Sequence, residues 1–181
     1  MHRTRLELRD AYAVGDIEPT DKSAYLEHLA EKAISDWITV IPFPYTEADA
    51  DHWLAYVAAE TVKQDRAVSW AIRDPSGRLV GGIGFDGLRV GATHRAQLGY
   101  WLAKPFWGRG IATQAVGAVC AFAFADLGLT RIVARVLEGN AASARVLEKT
   151  GFQLESRLRR NVRKNDREYD VLLYARLAAR C

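Results

Sequence analysis

Residues 105–113, reading PFWGRGIAT, constrain this chain more than any other segment. They follow an aromatic, strand-like run at 97–102 (QLGYWL) and open a long apolar stretch that continues through Leu127. A strand, a glycine-spaced loop and a helix start bring together main-chain N–H groups that the helix cannot pair. The positive end of the helix dipole adds to their attraction for an anion. Gly108 and Gly110 permit positive φ and close approach of a bulky group to the backbone. The segment predicts a phosphate-bearing ligand held mainly by main chain.

What the loop lacks narrows the ligand. A nucleotide P-loop ends in Gly-Lys-Ser/Thr, which is absent, and the third glycine of a dinucleotide fingerprint is replaced by Thr113. An ordinary glycine-rich turn from strand to helix stays open on the loop alone.

The next segments carry a second motif. An alternating run at 131–136 (RIVARV) precedes residues 138–152 (EGNAASARVLEKTGF), in which Asn140, Ser143, Leu147, Gly151 and Phe152 spell Asn-x-x-Ser-x-x-x-Leu-x-x-x-Gly-Phe. The two motifs in this order resemble the GNAT superfamily of acyl-CoA-dependent N-acyltransferases. Within it, the chain is similar to the RimJ/RimL-like branch of ribosomal-protein N-terminal acetyltransferases. The family's cofactor loop reads Gln/Arg-x-x-Gly-x-Gly/Ala; here Trp107 holds the first position, as is usual in that branch. The likeness covers residues 45–177.

The resemblance implies an α+β fold: a central, splayed mixed β-sheet flanked by helices. It implies acetyl-CoA as cosubstrate and no metal. The pantetheine arm would complete the exposed strand edge at Tyr100, Trp101 and Leu102. The pyrophosphate would sit over the amides of Arg109, Gly110, Ile111, Ala112 and Thr113, with Arg109 and Arg145 adding charge, and Trp107 and Gly108 belong to the same implied cofactor set. Asn140 and Ser143 complete the implied cofactor set. Ser143 would protonate the departing thiolate; a plain helix-capping role beside Asn140 is the alternative. The general base stays open. The branch often has glutamate where this chain has Gln97, leaving Glu138 (through water), Asp86, His52 and His94 as candidates, with deprotonation of an α-amine by bulk water as the alternative to any protein base. The implied acceptor is a primary amine, a protein N-terminus or a small amine such as a polyamine, amino acid or antibiotic; a non-catalytic acyl-CoA binder is a further alternative.

A chain of 181 residues suits one domain over residues 1–181, burying about 70% of its unfolded surface. No apolar run matches a bilayer span, and the first residues reach Glu7 and Asp10 without a signal-like core. Only Cys120 and Cys181 are present, so a structural disulfide is not expected; a reduced, cytoplasmic protein is. Arg157, Arg159, Arg160, Arg163, Lys164 and Arg167 crowd one hairpin, which reads as a solvated strand pair or as a surface facing the acceptor. No helix-turn-helix or stacking platform accompanies it, so nucleic acid is not the expected partner. A homodimer is left open.

Periodicity and punctuation predict a first strand over 4–10, a two-piece helix over 20–38, and a Thr46-capped helix to Val62. Strands follow at 68–73, 79–85 and 97–102, then a helix over 110–127, a strand at 132–136, a helix over 141–149, and strands at 152–159 and 169–175. By the resemblance, Trp37, Phe43, Tyr45, Trp53 and Tyr56 fall in the elements roofing the acceptor site.

Overall fold

The computed structural model describes residues 4–179; Cys181 lies outside them. Eight strands form one mixed sheet: β1 (Arg5–Glu7), β2 (Ala13–Asp16), β3 (Ser69–Arg73), β4 (Leu79–Asp86), β5 (Arg95–Leu102), β6 (Arg131–Leu137), β7 (Gln153–Lys164) and β8 (Arg167–Leu177). Their order across the sheet is β1-β2-β3-β4-β5-β6-β8-β7. The helices are α1 (Lys22–Leu29), α2 (Lys32–Ser35), α3 (Glu47–Gln64), α4 (Ile111–Asp126) and α5 (Ala141–Lys149).

The expected first strand over 4–10 is shorter, Arg5–Glu7, and a further strand that the sequence reading did not include follows at Ala13–Asp16. Asp10 and Ala11 take positive φ, so the chain turns after β1 and returns as β2, which pairs with both β1 and β3. The four residues of β2 (AVGD) are too short and too glycine-interrupted to announce themselves by alternation. Thr46 caps α3 as expected: Asp49 N donates to Thr46 Oγ1 (3.3 Å), and Thr46 N donates to Asp49 Oδ2 (2.8 Å). The last hairpin is longer than its pattern suggests, because β7 and β8 continue through the charged residues to the Asn165–Asp166 turn.

Strand alternation sorts the apolar side chains onto two faces. Val14, Trp70, Ile72, Ile83, Phe85, Leu98 and Ile132 pack with Val116 and Val119 of α4 and Leu147 of α5. Tyr25, Leu29, Ala71 and Leu79 form a smaller core with Trp53, Leu54 and Trp101 on the α1–α3 side. Glycine in β4 permits strand contact no larger residue would allow. A Cβ on Gly84 would lie 2.6 Å from Ser69 Oγ and 2.9 Å from Ser69 Cα.

The feature that makes a site is the seam between β5 and β6. This is the sheet's one parallel pairing, and it runs only from Arg95–Arg131 to Leu98–Ala134. Beyond it, Gly99–Leu102 pairs with β4 alone, and Arg135–Leu137 pairs with β8 alone. The strands diverge there, and α4 begins just beyond β5.

Candidate active site

A cleft of about 490 Å³ occupies the divergence. Ala103 N donates to Val80 O (2.8 Å), so that residue's main chain faces β4. Alternation turns the N–H and C=O groups of Leu102 and Tyr100 the other way, into the gap. One of these is already used: Trp107 Nε1 donates to Leu102 O (2.6 Å). The tryptophan therefore closes the end of the open edge and leaves the Tyr100 groups and the Leu102 N–H facing the cleft.

The helix start meets that edge. Gly108 (φ 72°) and Gly110 (φ 76°) are left-handed, Gly110 as the N-cap of α4. A Cβ on either would meet nothing within 4 Å, so the backbone conformation rather than crowding calls for glycine. The first main-chain bond of α4 is Gln114 N to Gly110 O (3.1 Å), leaving the N–H groups of Ile111, Ala112 and Thr113 without helical partners. All three residues line the cleft, and so do Arg145 and Lys149, one helical turn apart on α5. Lys149 was missed from sequence, although its i+4 spacing from Arg145 was a usable signal. Arg109 is placed otherwise than the resemblance implied. Its guanidinium lies 5.8 Å from the Tyr12 ring and 5.7 Å from the Phe106 ring, and the residue is not among those lining the cleft.

Tyr100 and Ser143 meet on the α5 side. Tyr100 Oη lies 2.8 Å from Ser143 Oγ and 3.2 Å from Ser143 O. Burial first, offset in part by the Ser143 hydrogen bond, pushes the phenol up to about 12. It is therefore a neutral donor at any ordinary pH. The capping alternative for Ser143 is filled by its neighbour, because Ser143 N donates to Asn140 Oδ1 (3.1 Å). The Ser143 hydroxyl is turned to the phenol instead.

The general-base candidates separate by position. Glu138 Oε2 accepts from Arg157 Nη2 (2.8 Å), and Glu138 lies outside the set lining the cleft. His52 on α3 and His94 before β5 are exposed and lie outside it too. Asp86 and Gln97 are cross-strand partners and both line it.

The outer wall is built by Ala33, Ile34 and residues 37–40, with Val162 of β7 and Val171 of β8. Of the five aromatics expected to roof the acceptor side, Trp37 lines the cleft. Tyr45 and Trp53 pack in the smaller core, Tyr56 stacks on Trp53 at 5.7 Å, and Phe43 is exposed. Lys164 fastens this wall: its Nζ donates to Ile38 O (2.5 Å), Ile41 O (3.4 Å) and Ser35 Oγ (3.4 Å). The hairpin's other cations are largely paired. Arg157 binds Glu138 and Asp170, and Arg160 and Arg163 share Glu168. Such pairing matches a solvated strand pair better than a bare basic patch. No helix among the described residues is long and apolar enough to cross a membrane.

Fold and cleft define a class of protein built on one mixed sheet in which two central strands diverge, with an elongated cleft in the gap that ends at the start of α4. The acetyltransferase (GNAT) domain pattern matches residues 13–153, and the chain belongs to that family. It is 36% identical over 118 residues to the uncharacterized N-acetyltransferase YoaA of Bacillus subtilis (strain 168), covering 65% of this chain and 66% of that one. It is 34% identical over 99 residues to the ribosomal-protein-serine acetyltransferase of Escherichia coli (strain K12), covering 55% of each. The chain thus spans between about half and two thirds of these relatives' lengths. Among solved structures, RimL, a ribosomal L7/L12 alpha-N-protein acetyltransferase in complex with coenzyme A, superposes with a TM-score of 0.86 at 17% identity. That superposition covers 96% of this chain and 98% of RimL, a likeness of fold.

Proposed function

We propose that this protein transfers the acetyl group of acetyl-CoA to a primary amine, and that the amine is a protein N-terminus. The observation that carries this reading is the junction of two unpaired main-chain arrays. The open β5 edge at Tyr100 and Leu102 suits an amide-bearing pantetheine, and the Ile111–Thr113 amides suit a pyrophosphate. Arg145 and Lys149 stand where further phosphate charge would fall. The cleft runs on from that end past Tyr100 and Ser143 to Asp86 and Gln97, so a thioester would lie between a proton donor and an acceptor chamber.

The chain's own groups then have distinct parts. A main-chain N–H in the gap polarises the thioester carbonyl and stabilises the tetrahedral oxyanion. Ser143, backed by the Tyr100 hydroxyl, protonates the thiolate as it leaves. An N-terminal α-amine suits such a site, because with a pKa of about 8 roughly a tenth of it is neutral at pH 7, whereas lysine, near 10.4, is almost wholly charged. The relative's name gives a ribosomal protein as acceptor and RimL's gives the alpha-N position of one, which supports a protein terminus here.

Calorimetry with acetyl-CoA and free coenzyme A, followed by thiol release with alanine- and serine-starting peptides, free amino acids and polyamines, tests the assignment. Binding of both coenzymes and faster release with peptides are expected. Absence of heat with either coenzyme refutes the enzyme reading, and release with polyamines alone moves the acceptor to small amines. Ser143→Ala is expected to lower turnover by about 10²-fold or more while coenzyme affinity holds.

A further inference from the structure

The acceptor side of the cleft carries a feature that the donor side lacks. Among the described residues lining the whole cleft there is no histidine and no glutamate, and Asp86 is the one carboxylate. It ends β4 directly opposite Gln97, with Gly84 and Gly99 paired at the next position on the same face. That face is opposite to the one carrying Tyr100. Ala96 and Leu98 pack with α4, and alternation puts Gln97 and Gly99 on the α1–α3 side. Likewise Phe85 lies in the α4 core, so Asp86 lies on the α1–α3 side. The divergence thus separates a leaving-group wall (Tyr100, Ser143) from an incoming-group wall (Asp86, Gln97). No hydrogen bond or ion pair occupies the Asp86 carboxylate among the described residues, in contrast to Glu138.

We propose that Asp86 is the group that receives the acceptor ammonium and takes its proton; this rests on the acetyl-transfer reading above. Gln97 beside it holds the amine by a neutral hydrogen bond and adds no second negative charge. One N–H bond of the ammonium breaks and its proton passes to the Asp86 carboxylate, directly or through one water, and on to solvent. The nitrogen lone pair then forms the new C–N bond at the thioester carbon, the carbonyl π pair moves onto oxygen, and its return breaks the C–S bond. Sulfur leaves with its electron pair and takes the Ser143 proton, which the Tyr100 hydroxyl replaces. The second proton lost from nitrogen restores that pair, so the reaction yields an amide, a thiol and one proton.

The surroundings of Asp86 are mixed in charge. From α3 comes Tyr56, its phenol pushed up by burial first and then by Glu60 and Asp86, with Lys63 opposing. Arg95 of β5 lies on the same face by alternation, and Arg135 of β6 lines the cleft with its guanidinium on Asn161.

The experiment compares wild type, Asp86→Asn and Asp86→Glu over the pH range below the amine's own pKa. The probe is an alanine-starting peptide, read by thiol release, with coenzyme affinity measured alongside. Asp86 is exposed, so the fold is expected to tolerate the change, and unchanged coenzyme affinity checks it. Asp86→Asn should lower kcat/KM for the peptide by about a hundredfold at pH 7. The deficit should shrink as pH rises, with unit slope, because the variant must wait for amine that is already neutral. Asp86→Glu should restore part of the rate. A deficit equal at every pH, or a variant within twofold of wild type throughout, overturns the assignment. Wild type that binds coenzyme yet releases no thiol with any amine overturns the acetyl-transfer reading and Asp86 with it. A rate loss confined to Asp86→Asn leaves acetyl transfer standing.

Discussion

Replacing Tyr100 by phenylalanine removes one oxygen and leaves the ring that packs against the main core. The phenol has a single proton and two acceptors, Ser143 Oγ at 2.8 Å and Ser143 O at 3.2 Å. When that proton goes to Oγ, the serine's own hydrogen is released toward the cleft. Without it, the serine hydroxyl is free to rotate, and no acid stands behind it. Stability should fall by about 1 kcal/mol, the usual net worth of one internal hydrogen bond. For a chain of this size that is about 2–4 °C in melting temperature. The effect on chemistry should be larger. If Tyr100 acts only through Ser143, Tyr100→Phe and Ser143→Ala each lose turnover by about 10²-fold, and the double variant loses no more than the worse single. That is a coupling of about 2.7 kcal/mol, at 1.36 kcal/mol per factor of ten. The assay is thiol release at saturating acetyl-CoA, with coenzyme affinity measured on every variant. Additive losses, near 10⁴-fold in the double variant, would refute the relay, and so would Tyr100→Phe turning over like wild type.

Gly84→Ala should destabilise the protein by about 1–3 kcal/mol in chemical denaturation, because its Cβ would fall 2.9 Å from Ser69 Cα, a backbone atom that cannot swing aside. A variant with unchanged midpoint would mean that β3 and β4 do not approach so closely. Acid should also weaken the fold. Asp49 and Asp170 are held below 3.8 by Thr46 and by the Arg160 N–H respectively, and Glu31, Glu60 and Glu155 below 4.5 by the Ala33 N–H, Lys63 and Arg131. Depressed carboxylates contribute stability that is present above their unfolded values and lost as pH falls through the folded ones. Melting temperature should therefore hold above pH 4.5 and drop below it, with a smaller drop in high salt. A flat profile into strong acid would show these pairs to be inert.

The parts of the site legible in sequence are those made by neighbours along the chain. Gly108, Gly110 and the start of α4 are set by local backbone geometry, and Asn140 caps α5 through a residue three positions on. The parts that were not legible join distant residues. Tyr100 and Ser143 are 43 positions apart, and Lys164 reaches Ile38 across 126. The Asp86–Gln97 pairing depends on a strand register that composition does not specify. Arg109 and Glu138 show the converse. Each had a charge at a suitable sequence position, and each finds a nearer partner in space, aromatic rings in one case and Arg157 in the other.

The short seam has a thermodynamic consequence. Strand pairing joins the β1–β5 half of the sheet to the β6–β8 half through only four residues on each side. A coenzyme lying along the open edge would serve as an additional rung and brace one half against the other. At a hundredfold excess over its dissociation constant, such a ligand adds about 2.7 kcal/mol to the folded state. The robustness of this protein in a cell would then rise and fall with the supply of its acyl donor.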